Sequence, residues 1–121
     1  MSHLERIAIA DDDPECLEML CWALQRHATA IHTATTGGEL LGLLADRGPF
    51  DLVVTDVDMP VAGRLLREIR AAHPGIPIIV ATGFATAAMQ PEAARLGRVT
   101  VLQKPFGLAK LHDAVDALLG A

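Results

Sequence analysis

The stretch IAIADDDPECLEML, residues 7–20, joins the two patterns that decide the fold. Its first four residues are small or apolar, as in a short buried strand. From Pro14 to His27 the apolar residues recur at the spacing of a half-buried helix, namely Leu17, Leu20, Cys21 and Leu24. Asp13 before Pro14 is typical of a helix N-cap followed by a first-turn proline. The stretch therefore predicts a strand that leads directly into a helix.

This pattern of a strand followed by a helix occurs five times along the chain. The runs DLVVTD (51–56) and IPIIVAT (76–82) are continuous and rich in β-branched residues, as in strands buried on both faces of a parallel sheet. The other predicted strands are 6–10, 30–34 and 98–103, and the other predicted helices are 37–48, 63–75, a short helix from Pro91, and 108–120. The residues expected to face inward on the third and fifth helices are Leu65, Leu66, Ile69, Leu108, Leu111, Val115 and Leu118. The pattern predicts an α/β fold with a doubly wound parallel sheet and helices on both faces.

Composition restricts the class of protein. The 121 residues, 51% of them hydrophobic, suffice for one core, so we expect one domain over 1–121. The net charge of −5 argues against direct binding to nucleic acid or to an anionic membrane. We find no apolar run long enough for a membrane span and no secretory signal, so we expect a cytoplasmic protein. Cys16 and Cys21 are then expected to be reduced thiols at the core or its boundary.

Polar residues follow four of the predicted strands. Asp11 and Asp12 follow the first strand, Asp56 ends the third, Thr82 ends the fourth and Lys104 follows the fifth. In a doubly wound sheet these positions share one edge, where ligands bind. Two carboxylates about 4 Å apart repel by about 4 kcal/mol at an effective dielectric of 20. A hard dication such as Mg²⁺ reverses that balance, so we interpret the aspartates as an acidic metal pocket.

The ordered set of motifs resembles a known family. Asp11-Asp12, the sequence DVDMP around Asp56, Thr82-Gly83 and Lys104-Pro105 stand in the order of the receiver domain of two-component response regulators, of the chemotaxis CheY type. The resemblance covers about Ile7 to Leu119. It implies a flavodoxin-like fold with strand order 2-1-3-4-5.

The resemblance also implies roles for these residues. Asp56 would accept a phosphoryl group from a sensor histidine kinase, a phosphotransfer protein or a small phosphodonor. Asp12, Asp56 and the backbone carbonyl of Asp58 would hold Mg²⁺, with Asp11 supporting the metal through water. The protein would then be a switch rather than a conventional enzyme.

Two further residues would act on the phosphoryl group. The Lys104 ammonium would pair with one phosphoryl oxygen, and the Thr82 hydroxyl would donate a hydrogen bond to another. The resemblance implies a cis Lys104-Pro105 peptide bond. Asp13 is assigned to the helix cap and not to the metal.

The sequence departs from the family pattern in its signalling parts. Val101 stands where the family has an aromatic switch residue, which puts in doubt signal output through the face of the fourth helix, fifth strand and fifth helix. The sequence MPVAGRLL, from Met59, is about two residues shorter than usual, which should trim the first turn of the third helix. The segment 84–90 is almost uncharged and is expected to be a loop that packs against a partner or forms a homodimer. Phe84 is a candidate shield of the phosphoryl group against water.

Alternative functions remain at this point. A stand-alone receiver would act on a downstream protein partner, whereas a receiver cut from a longer regulator or hybrid kinase would act on an output domain. The rival is a pseudo-receiver that binds proteins without phosphorylation. A magnesium phosphohydrolase would need an added cap, and a flavin protein would need more aromatic residues. No nucleotide-binding motif is present, and the five histidines lack the i, i+4 spacing of a helical metal site.

Overall fold

The computed structural model describes residues 4–56, 61–83 and 89–119, over which strands and helices alternate. The strands are β1 (Leu4–Ala10), β2 (Ala28–Ala34), β3 (Leu52–Thr55), β4 (Ile78–Thr82) and β5 (Val99–Gln103). The helices are α1 (Pro14–Leu24), α2 (Gly37–Asp46), α3 (Val61–Ala72), α4 (Met89–Leu96) and α5 (Leu108–Leu118). All strand pairs are parallel, in the order β2-β1-β3-β4-β5. The predicted fold class and strand order are confirmed.

The core lies on both faces of the sheet. Because successive strand residues point to opposite faces, Ile7 and Ile9 of β1 pack with α1 and α5, whereas Ala8 and Ala10 pack with α2 and α3. The four residues of β3 are all buried, as its continuous apolar run predicts. Within the described residues, no helix has both the length and the apolar character needed to cross a membrane.

Six predicted helix ends were wrong by two or three residues, including those of α2, α3 and α5, which end at Asp46, Ala72 and Leu118 and not at 48, 75 and 120. The α-helix α1 ends at Leu24, and a 3₁₀ turn, Gln25–His27, completes the predicted segment. Helix α3 begins at Val61, so its start is not trimmed to residue 63. Helix α4 is short, as expected, but begins at Met89 and not at Pro91. A proline fits there because the first backbone N–H groups of a helix have no intrahelical partner.

Helix periodicity predicted most of the inward-facing residues. Leu65, Leu66 and Ile69 of α3 are buried, and so are Leu111 and Val115 of α5. Leu118 of α5 is half-buried, and so are Leu17 and Cys21 of α1. All three pack against the core on the face of the sheet that carries α1 and α5. Leu108 was predicted to face inward, and this prediction was wrong. It lies at the start of α5, where 42% of the residue is exposed. Periodicity identifies the inner side of a helix but not how far the neighbouring sheet extends along it.

The N-cap of α1 gives a first testable prediction. Asp13 has an extended backbone, and its carboxylate accepts a hydrogen bond from the Glu15 N–H at 3.1 Å. We expect Asp13→Ala to lower the free energy of unfolding by about 1 kcal/mol, since the N–H groups of the first turn lose their acceptor. Urea denaturation would measure this change. Asp13→Ser should retain most of the stability, and equal loss in both variants would contradict the capping role.

Candidate metal centre at the carboxyl edge of the sheet

Backbone hydrogen bonds fix the residues at the strand ends to neighbouring strands. Asp56 N–H donates to the Ala10 carbonyl at 2.9 Å, and Lys104 N–H donates to the Thr82 carbonyl at 2.7 Å. Asp11 N–H likewise donates to the Ala34 carbonyl of β2. The parallel ladder therefore continues one residue past the strands and brings together side chains that are far apart in sequence.

Lys104 lies between two of the aspartates. Its Nζ donates to Asp11 Oδ2 at 2.7 Å and to Asp56 Oδ2 at 3.2 Å. The Asp11 side chain is fully buried, whereas 15% of the Asp56 side chain and 22% of the Lys104 side chain remain exposed. The other oxygen of Asp11, Oδ1, accepts the Asp13 N–H at 2.9 Å. Asp11 is thus held on both sides, while the Asp56 side chain stays partly exposed.

The electrostatics follow from these contacts. Burial by itself would raise the pKa of Asp11, but the hydrogen bonds from Lys104 and the Asp13 backbone, with the Lys104 charge, hold it below its usual value. Burial would likewise lower the pKa of Lys104, and the carboxylates of Asp11 and Asp56 raise it well above its usual value. Asp11 and Lys104 are therefore both ionised at neutral pH.

The geometry of the acidic side chains fits a divalent metal ion. Asp11, Asp12 and Asp56 each offer a carboxylate oxygen, and these atoms lie within 4.8 Å of one another. An octahedral Mg²⁺ with Mg–O distances of about 2.0–2.1 Å places its ligand oxygens about 3–4 Å apart, so small side-chain movements suffice. Asp12 is exposed, which leaves room for water ligands. These carboxylates could hold the ion together with water.

Two further residues lie near these side chains: Thr82 at the same edge of the sheet, and Cys16 in α1. Thr82 ends β4 as predicted and is 2% exposed. Cys16 was assigned from sequence to the core boundary, and it is a half-buried free thiol there. Sequence analysis missed that this thiol also interacts with Asp11 and Lys104. Burial and the nearby Asp11 raise the pKa of Cys16 to about 11, so the thiol is protonated at neutral pH.

Some predicted features lie outside the described residues. These are the Asp58 carbonyl, the segment 57–60 around Met59 and Pro60, and the part of the proposed docking loop from Phe84 to residue 88. Residues 89 and 90 of that predicted loop belong to α4.

The cis Lys104-Pro105 peptide bond is confirmed. Val101 of β5 is half-buried and packs against the core.

Known proteins share both the sequence pattern and the fold. The model of the response regulator receiver domain family matches residues 7–116. The transcriptional regulatory protein FixJ of Azorhizobium caulinodans is 36% identical over 94% of this chain and 54% of its own length. The response regulator receiver protein CpdR of Brucella abortus is 31% identical over 96% of this chain and 98% of its own.

A solved structure shows the same architecture. The CheY-like receiver domain protein of Methanospirillum hungatei superimposes with a TM-score of 0.85 at 26% identity, covering 97% of this chain and 94% of that one. This chain therefore spans about half of FixJ but nearly all of CpdR. The chain belongs to the response regulator receiver domain family.

Proposed function

We propose that Asp56 accepts a phosphoryl group in a two-component signalling pathway and that the pocket stabilises the resulting aspartyl phosphate. The observation that carries this proposal is the contact of one lysine, Lys104, with both Asp11 and Asp56 beside a third carboxylate. The Asp56 carboxylate is paired with Lys104 and 15% of its side chain is exposed, so it is a nucleophile that a donor can reach. A neighbouring ammonium and acidic metal ligands match the charge that develops during phosphoryl transfer.

The transfer forms one bond and breaks one bond. An Asp56 carboxylate oxygen attacks phosphorus, and the bond from phosphorus to the donor's leaving atom breaks. For a phosphohistidine donor, the electron pair of that bond remains on the imidazole nitrogen. When bound, Mg²⁺ neutralises oxygen charge on the transferred group.

The residues of the chain position and stabilise the group. Lys104 lies 3.2 Å from Asp56 Oδ2, so a modest movement brings Nζ to a phosphoryl oxygen. Thr82 offers a hydroxyl at the end of the neighbouring strand. Asp11 keeps Lys104 charged and oriented, and we place Asp12 and Asp56, with the carbonyl of Asp58, as the metal ligands. The chain is then a phosphoacceptor and not a conventional enzyme.

The comparisons support a sensor histidine kinase or a phosphotransfer protein as the donor class. Output through an attached domain is supported by FixJ, which is much longer than this chain, and output through a separate protein by CpdR, which has nearly the same length. We propose that the face formed by α4, β5 and α5 carries the signal. Because residue 101 is valine, the change at this face would rely on Thr82 and backbone movement instead of an aromatic rotation. The pseudo-receiver alternative is not favoured, since the lysine and carboxylate cluster is intact.

The experiment that tests this proposal is phosphorylation by a small donor. We expect incubation with acetyl phosphate and Mg²⁺ to add the mass of one phosphoryl group to the intact chain, and EDTA to prevent the addition. Continuous release of phosphate without an adduct would indicate a hydrolase. An unchanged mass in a folded, Mg²⁺-binding sample would contradict the proposal and indicate a pseudo-receiver.

A further inference from the structure

Two histidines that are far apart in the sequence meet on the face of the sheet that carries α1 and α5. His27 ends the 3₁₀ turn after α1, and His112 lies in α5. Their ring nitrogens, Nε2 of His27 and Nδ1 of His112, are 2.8 Å apart. The ring centroids are 4.9 Å apart, and the planes are tilted by 42°. Both residues are half-buried, so the pair remains accessible from solvent.

The core fixes the backbone of both histidines. Leu24 and Leu111 are fully buried in the same cluster, and each lies within three residues of one histidine. The two imidazoles are therefore brought together by packing that does not depend on their own contact. Converging nitrogen ligands from two fixed elements form a partly preorganised site for a metal that prefers imidazole.

A carboxylate lies close to the pair. Asp116 is four residues after His112, and residues at this spacing share one side of a helix. The charges that act on the His27 ring come from His112, Arg26 and Asp116. Asp116 favours a cation near the rings, whereas Arg26 opposes it from an exposed position.

We propose that His27 and His112 bind a divalent transition-metal ion such as Zn²⁺, with Asp116 as the third protein ligand, at a site separate from the aspartate pocket. The ring that donates the hydrogen bond takes up its other tautomer, with its proton on the far ring nitrogen after exchange with water, so that each ring offers the ion a lone pair. Zinc–nitrogen distances of about 2.0–2.1 Å with tetrahedral angles put the nitrogens about 3.3 Å apart, so the nitrogens separate by about half an ångström, and each ring turns until its lone pair points at the ion instead of at the other ring.

Asp116 joins the ion by a change of side-chain rotamer. Within the part of the chain that the structure describes, only the aspartate pocket already has three donor groups within 4.8 Å of one another. Water fills the fourth position, as in zinc sites with three protein ligands. The two sites differ in chemistry, because carboxylates and water suit Mg²⁺ whereas imidazoles suit Zn²⁺.

Calorimetric titration of the full chain with Zn²⁺ tests this proposal. Saturating Mg²⁺ occupies the aspartate pocket, and a His3→Ala background removes the N-terminal histidine. We expect one Zn²⁺ per chain, and an unfolding temperature that rises with Zn²⁺ concentration because the ion binds the folded state.

Four variants separate metal binding from a simple hydrogen bond. His27→Ala and His112→Gln should both abolish the binding event, although glutamine can still hydrogen-bond to His27. Asp116→Asn, at an exposed position, should weaken binding without loss of the fold. His73→Ala, a half-buried histidine outside this pair, should bind as the background does. No binding to the background, or undiminished binding in the folded His27→Ala and His112→Gln variants, would overturn the proposal.

Discussion

Replacement of Asp56 by asparagine is expected to abolish the phosphoryl adduct formed with acetyl phosphate and Mg²⁺. The amide has nearly the same shape as the carboxylate, but its oxygen is a much weaker nucleophile. The other carboxylates do not substitute for Asp56. Asp11 is fully buried and is held by Lys104 and the Asp13 N–H, and Asp12 is the exposed metal ligand in our proposal. Intact-mass measurement of both proteins checks this expectation.

Two further variants show whether loss of the phosphoryl adduct is specific to Asp56. Asp113→Asn removes an exposed carboxylate of α5 and should leave the adduct unchanged. Asp12→Asn retains the acceptor and should slow adduct formation by weakening Mg²⁺ binding. An equal amount of adduct in folded Asp56→Asn would refute Asp56 as the acceptor, even if the domain proved to be phosphorylated elsewhere.

The sequence was most informative where local pattern and topology agree. Continuous apolar runs predicted β3 and β4, and a doubly wound order brings their ends to one edge. Asp56, Thr82 and Lys104 could therefore be assigned to one pocket before any contact was known. The backbone bond from Lys104 to Thr82 and the ion pairs of Lys104 agree with that assignment.

The features that sequence analysis missed depend on side-chain packing between distant segments. His27 and His112 are 85 residues apart, and no helical spacing relates them. Their contact results from α1 and α5 packing on the same face of the sheet. The effect of Asp11 and Lys104 on the pKa of Cys16 was missed for a similar reason, since periodicity gives the side of α1 on which the thiol lies but not the charged groups near it at the strand ends. The start of α4 was missed because proline was expected only at the first helical position.

Replacement of Lys104 by methionine is expected to destabilise the metal-free protein strongly. Methionine keeps much of the side-chain volume but removes the charge that balances buried Asp11 and partly buried Asp56. Breaking a fully buried ion pair costs about 3–5 kcal/mol, and we expect about 2–4 kcal/mol here because 22% of the Lys104 side chain is exposed. Urea denaturation in EDTA would measure this loss.

Magnesium should partly reverse that loss, because a dication supplies positive charge to the same carboxylates. We therefore expect Mg²⁺ to raise the free energy of unfolding more in Lys104→Met than in the original chain. Lys110→Met is a matched control, since Lys110 is the other lysine of the chain and lies exposed on α5. If Lys104→Met were as stable in EDTA as Lys110→Met, the carboxylates would not depend on Lys104 for their charge balance. If Mg²⁺ stabilised both variants equally, the ion would bind away from the carboxylates that Lys104 contacts, and the proposed pocket would be wrong.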